Sequence, residues 1–239
     1  MNDLFDYMER ELDELIEEAM PSAPTCGLLI TLPDTDDHEA LNFKLTQALH
    51  AANRFSTYAI NRHVVLYHPA DKDQARWEQI ARVYRETCAK AGFIFLVMDN
   101  VKVARAVDAD GVLCSKVMAC SEARKTLDDD KIIGLRASTR AMAQSALSLD
   151  LDFVSFHTAP HGEPLLDLLH WWATTTEAPV AIEGTFDQEN CAPFVAAGAT
   201  FIESGPHIWT HPSNNPMQGT VNMLDAFERH NHSHKVSVN

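Results

Sequence analysis

Eight short apolar runs in this chain end in residues able to bind or transfer charge. GLLIT from Gly27 ends on Thr31, HVVLYH from His63 on Tyr67 and His68, FIFLVMD from Phe93 on Asp99, and GVLCSK from Gly111 on Ser115 and Lys116. KIIGLR from Lys131 ends on Arg136, FVSFH on His157, PVAIEG on Glu183 and Gly184, and TFIESG on Glu203, Ser204 and Gly205. Brought to one mouth, Asp99 would hold a hard divalent metal ion through its carboxylate oxygens. Lys116 and Arg136 would hold an anionic substrate. Arg136 and His157 are the catalytic candidates, with His157 or Glu183 suited to moving protons. Lys116, Glu183, Gly184, Glu203, Ser204 and Gly205 form the candidate substrate-binding set. The plainer reading is that charges at strand ends pair with one another in solvent.

Other groups with chemical potential carry weaker signals. His157 and His161, and His207 and His211, have the i, i+4 spacing of helical zinc ligands. Pro160 and Pro212 beside them make both segments loops, so they read as loop histidines near the mouth. The five cysteines, Cys26, Cys88, Cys114, Cys120 and Cys191, are odd in number and scattered without a C-x-x-C pair. They read as small core residues. Trp171 and Trp172 read as packing side chains.

The elements that position these residues follow from composition and periodicity. The 239 residues are 46% hydrophobic and 22% charged, enough for a full core. The longest apolar stretch, Phe93 to Met98, is far short of the ~18 residues of a membrane span. Nineteen basic against 34 acidic residues give a net charge of −15, which repels nucleic-acid phosphates and anionic membranes. Neither nucleic acid nor membrane is an expected partner. Nine glycines are few, and no Gly-rich phosphate loop of the Walker or dinucleotide type occurs. The chain opens without a basic stretch leading into an apolar one, so the expected compartment is the cytoplasm.

Residues 1–22 read as an acidic amphipathic helix. Leu4, Phe5, Met8, Leu12, Leu15, Ile16 and Met20 recur at helical spacing, and the segment supplies −7 of the net charge. Pro21 and Pro24 stop it, and its apolar stripe either covers one end of the following domain or docks on a partner chain. From Gly27 the eight apolar runs alternate with helical patterns around 38–54, 72–91, 101–108, 120–128, 139–150, 165–176, 187–197 and 216–229. Asp71, Ser121, Ser138 and Asp187 are the start signals. Eight strands each followed by a helix predict a (β/α)8 TIM barrel over 27–229, with the N-terminal helix as an addition. Runs apolar on both faces fit parallel strands buried between helices; a doubly wound open sheet is the structural competitor. The tail 230–239 is expected to be disordered.

The strands also resemble a known family. FLVMDNVKVARAVDADGVLCS (95–115), KIIGLRAST (131–139), LDFVSFH (151–157), APVAIEGTFDQENCAPFVAAGATFIESG (178–205) and IWTHP (208–212) resemble the thiamine phosphate synthase and thiazole tautomerase superfamily. The resemblance implies a (β/α)8 barrel. It implies coupling of a pyrimidine methyl diphosphate to a thiazole phosphate in thiamine biosynthesis, with pyrophosphate released and Mg²⁺ held by carboxylates. A small phosphorylated molecule would be the ligand, and homo-oligomers are expected.

Residue by residue the carry-over is mixed. Asp99 matches the family's metal-binding Asp, but Met98 stands where its Asn neighbour would be, and the second metal carboxylate falls at or near Met118. Tyr67 and His68 replace the cations that follow strand 2, and Arg136 replaces a Ser. HTAPHGE has no counterpart of the family's Thr-x-Thr-Lys loop, and Glu183-Gly184 keeps one glycine of a Gly-Gly phosphate turn. Ser204-Gly205 maps on the last anion-binding turn. A carboxylate at 183 places negative charge where the family holds phosphate. Two functions follow as expectations: the synthase reaction with altered machinery, or a non-catalytic barrel acting as a small-anion binder or interaction protein.

Overall fold

The computed structural model describes residues 26–55, 63–68 and 73–236. The helix expected over 1–22 and the Asp71 start signal lie outside the described residues. The elements are β1 Gly27–Thr31, α1 His38–Phe55, β2 Val64–Tyr67, α2 Gln74–Ala91, β3 Ile94–Met98 and α3 Val101–Ala106. They continue with β4 Gly111–Cys114, α4 Val117–Thr126, β5 Ile132–Ala137, α5 Arg140–Ser148, β6 Phe153–Phe156 and α6 Leu165–Thr175. The last are β7 Val180–Ile182, α7 Ala192–Ala196, β8 Phe201–Glu203, α8 Gly205–Trp209 and α9 Pro216–Val236. All strands run parallel in sequence order, and β1 pairs with both β2 and β8. That closure makes the expected barrel and excludes the open sheet.

Both faces of each strand are buried, for two different reasons. Outward residues such as Leu28, Ile30, Val65, Phe95, Val97, Val112, Ile133, Leu135, Phe156 and Ile202 join the helices in the main core. Leu29, Val64, Leu66, Leu96, Met98, Leu113, Phe153 and Ala181 point inward and fill the barrel with a second, smaller core. Because side chains alternate along a strand, Thr31, Ser115, Arg136, Ser155, Glu183 and Glu203 continue that inward face beyond the apolar layers. The barrel therefore carries an apolar plug topped by polar groups at its C-terminal end.

Local chemistry sets most helix ends. Asp73 caps α2, its carboxylate accepting from the N–H groups of Ala75 and Arg76, and Gly92 ends it at φ 75°. Asn100 and Thr139 cap α3 and α5. The expected start signals shift accordingly. Thr139 rather than Ser138 caps α5, and Ser121 lies inside α4, which begins at Val117. Asp187 accepts from the N–H groups of Glu189 and Asn190 in a turn, and this shortens the helix expected over 187–197 to Ala192–Ala196. α8, with a proline in its first turn, has no counterpart in the predicted pattern. α9 extends to Val236, beyond the helical pattern expected around 216–229. Every cysteine is buried and free.

Candidate functional site

The C-terminal mouth brings four of the expected residues into one hydrogen-bonded group. Arg136, from β5, donates from Nε to Oε2 of Glu183 at 2.8 Å. Ser155, on the inward face of β6, donates to the other oxygen, Oε1, at 2.6 Å. Glu183 is only 6% exposed, so both of its oxygens are satisfied by protein donors as burial requires. One residue on, the Gly184 N–H donates to Oε2 of Glu203 at 2.8 Å. Burial raises the carboxyl pKa of Glu203, and the neighbouring Glu183 adds to this; Thr31, the Gly184 N–H and Arg136 work against it. Arg136, Glu183, Gly184 and Glu203 thus meet, with Ser155 completing the group.

The remaining candidates are not part of that hydrogen-bonded group. Asp99 follows β3 in a left-handed conformation at φ 53°. Its Oδ1 accepts the Ser115 N–H at 2.7 Å and its Oδ2 the Ser115 hydroxyl, so this carboxylate ties the end of β3 to the end of β4. Lys116 is exposed at the head of α4 and makes no side-chain cap bond there. His157 is half-buried, and its Nδ1 lies 2.9 Å from the Thr158 carbonyl. A carbonyl only accepts, so Nδ1 is the donor in that contact. Ser204 is fully buried, and its hydroxyl donates to the Ile202 carbonyl at 2.9 Å. Gly205 presses against β1: a Cβ there would lie 2.5 Å from the Thr31 carbonyl oxygen, which Trp209 Nε1 also reaches at 2.8 Å.

Strand-end reading missed Ser155. The signal was available, since a lone Ser inside FVSF shares its face with Phe153, which fills the barrel. Arg136 and Glu183 form a largely buried ion pair, so charges that were also readable as solvated surface pairs are instead partly desolvated.

The residues do not fit a built Mg²⁺ site. Both oxygens of Asp99 are engaged by Ser115. Met118, at the place of the family's second metal carboxylate, is 86% exposed and offers no oxygen. Among the described residues no group of three or more His, Cys, Asp or Glu side chains is arranged to hold a metal ion. His207 and His211 lie edge to face with ring centroids 5.1 Å apart, and Ser213 and Asn222 bond His211.

The family pattern described as thiamine monophosphate synthase matches residues 29–204, from the first strand to the turn after the last. The chain belongs to the thiamine monophosphate synthase family. It is 28% identical over 165 residues to the thiamine-phosphate synthase of Erythrobacter litoralis, a match spanning 64% of this chain and 78% of that protein. It is 32% identical over 177 residues to that of Synechocystis, across 70% of this chain but only 51% of the longer relative. Among solved structures, a thiamine phosphate pyrophosphorylase from Pyrococcus furiosus superposes with a TM-score of 0.69 at 18% identity, covering 86% of this chain and 96% of that one. At that identity the likeness speaks for the barrel, not for the reaction. In this member of the family the C-terminal ends of β7 and β8 carry carboxylates hydrogen-bonded to their own barrel.

Proposed function

We propose that this chain is a ligand-binding member of the thiamine monophosphate synthase family whose mouth holds a small neutral or cationic molecule and does not perform the family's coupling. The observation that carries this reading is the internal use of the mouth's donors. Arg136 and Ser155 serve Glu183, and the Gly184 N–H serves Glu203. Departure of a diphosphate needs cations or donors directed at charge that develops on the leaving group. Here those donors already face the protein's own carboxylates, and two carboxylates against one guanidinium leave the group net negative. Such a mouth repels a phosphate and favours a ligand that brings N–H donors.

The second reading is the family's reaction: thiamine phosphate made by joining a pyrimidine methyl diphosphate to a thiazole phosphate, with a small phosphorylated molecule held in place of the Glu203 contact. Exposed Lys116, which forms no ion pair among the described residues, and half-buried His157 favour it. The test is direct: purified protein, Mg²⁺ and both substrates, with thiamine phosphate quantified by mass spectrometry. The expected result is no product above an Asp99→Ala control. Product that disappears in both Asp99→Ala and Arg136→Ala would overturn the binding-only reading and establish the synthase.

A further inference from the structure

Two of the five buried, free cysteines share one seam of the barrel wall. Cys114 is the last residue of β4, and Cys120 lies in the first turn of α4. Both are 0% exposed. Where β4 meets β5, Leu113 pairs with Gly134 and Cys114 with Leu135. The Cys120 thiol reaches the Gly134 carbonyl at 3.7 Å, which sets it over that seam, on the outer face where Cys114 joins the main core. The two sulfurs meet there, the Cys114 S–H donating to Cys120. Ser115 and Lys116 occupy the turn between them, and Ser115 is the partner of Asp99.

That contact makes the two thiols unequal. The bond from Cys114 lowers the Cys120 thiol from its ordinary value; burial and Asp99 oppose this, and Arg124 adds to it. The same bond raises Cys114, with burial, Cys120 and Asp99 adding to the effect. Burial also raises Cys26, Cys88 and Cys191. The thiolate is the nucleophilic form, so of the five Cys120 is the one prepared to attack, and Cys114 stands beside it to resolve the product. A hydroperoxide as small as hydrogen peroxide needs only a local opening of α4 to reach the pair.

We infer that Cys114 and Cys120 form a redox modification site, which hydrogen peroxide converts to a disulfide across the turn between β4 and α4. The Cys120 thiolate attacks one peroxide oxygen, the O–O bond breaks, and the other oxygen leaves as hydroxide and takes up a proton, leaving Cys120 as a sulfenic acid. Cys114 attacks that sulfur, the S–O bond breaks and water departs, so two thiols are oxidised to a disulfide while one peroxide is reduced to two waters. The bond fixes the turn that carries Ser115 and Lys116. In the test, the folded full chain is treated with hydrogen peroxide, its remaining thiols are alkylated in urea, and the product is digested with trypsin and weighed by mass spectrometry. Trypsin cuts after Arg105, Lys116 and Arg124, so the disulfide joins peptide Ala106–Lys116 to peptide Val117–Arg124. The expected result is this linked pair, two hydrogens lighter than the free peptides together, lost on reduction and absent from Cys114→Ala. Thiols left unmodified, Cys120 carried on to sulfinic acid without the link, or a link through Cys26, Cys88 or Cys191 in its place would overturn the inference. So would a linked pair that forms in urea but not in the folded chain.

Discussion

Arg136 and Glu183 lie 47 positions apart in sequence yet form the central contact of the mouth. Removing the cation leaves a carboxylate that is 6% exposed held only by Ser155. Breaking a fully buried pair costs roughly 3–5 kcal/mol, and the partial exposure of Arg136 reduces this, so Arg136→Ala should destabilise the fold by about 2 kcal/mol. The companion Arg136→Ala/Glu183→Gln should recover much of the loss, because the buried charge is gone. Urea titration of the single and double variants measures both, and equal instability in the two would contradict the pairing. Glu203 titrates in the opposite sense from a paired acid. Its pKa is raised by burial, so ionising it costs stability as pH rises through the carboxylate range. Glu203→Gln keeps an acceptor for the Gly184 N–H and should be more stable than the parent at pH 7, while matching it near pH 3; thermal denaturation at the two pH values checks this.

Strand pairing and helix caps are decided by a few residues in each element. β4 and β5 pair with Gly111 opposite Ile132, and a Cβ at 111 would lie 1.9 Å from the Ile132 carbonyl oxygen. Backbone cannot yield there as a flexible side chain would. Gly111→Ala should therefore cost about 3 kcal/mol and loosen β4 against β5. Hydrogen exchange at the amides of residues 132–135 would show the loosening; unchanged protection would mean that the strands pair by another route. Reading apolar runs located all eight strands, because strands buried on both faces are continuous apolar words. Helix starts were less legible. Asp187, Ser138 and Thr139 all carry cap-forming side chains; Thr139, in extended backbone, is the one that caps α5, its hydroxyl accepting the Met142 N–H, while Asp187 accepts within a turn.

Acid sensitivity belongs to the whole molecule, because it depends on closing β1 against β2. His63 is 5% exposed, its Nδ1 accepts the Leu28 N–H at 3.1 Å, and its ring lies against Phe93 with centroids 5.1 Å apart. Burial lowers its pKa to about 4 from 6.5. Between those values the unfolded chain takes up a proton that the folded chain refuses, so this site loses stability as pH falls from 6.5 toward 4, by about 3 kcal/mol in all. His63→Gln, which retains an acceptor for Leu28, should flatten that part of the profile. Urea denaturation of both proteins at pH 7 and pH 4.5 would reveal it, and parallel profiles would mean that His63 is not the group responsible.

The sequence by itself determined the barrel, since alternation of apolar strand words with helical stripes is a local property that survives without contacts. It also determined which residues end each strand, and the family to which they belong. Only the tertiary structure decided what those ends do. Closure of β1 on β8 turns Thr31 and Glu203 toward the same mouth, and the pleat of β6 adds Ser155 to Glu183. Asp99 is committed to Ser115, and Ser204 to its own strand. Hydrogen-bond partners far apart in sequence cannot be read from spacing, because they are selected by which side chains the closed barrel desolvates together.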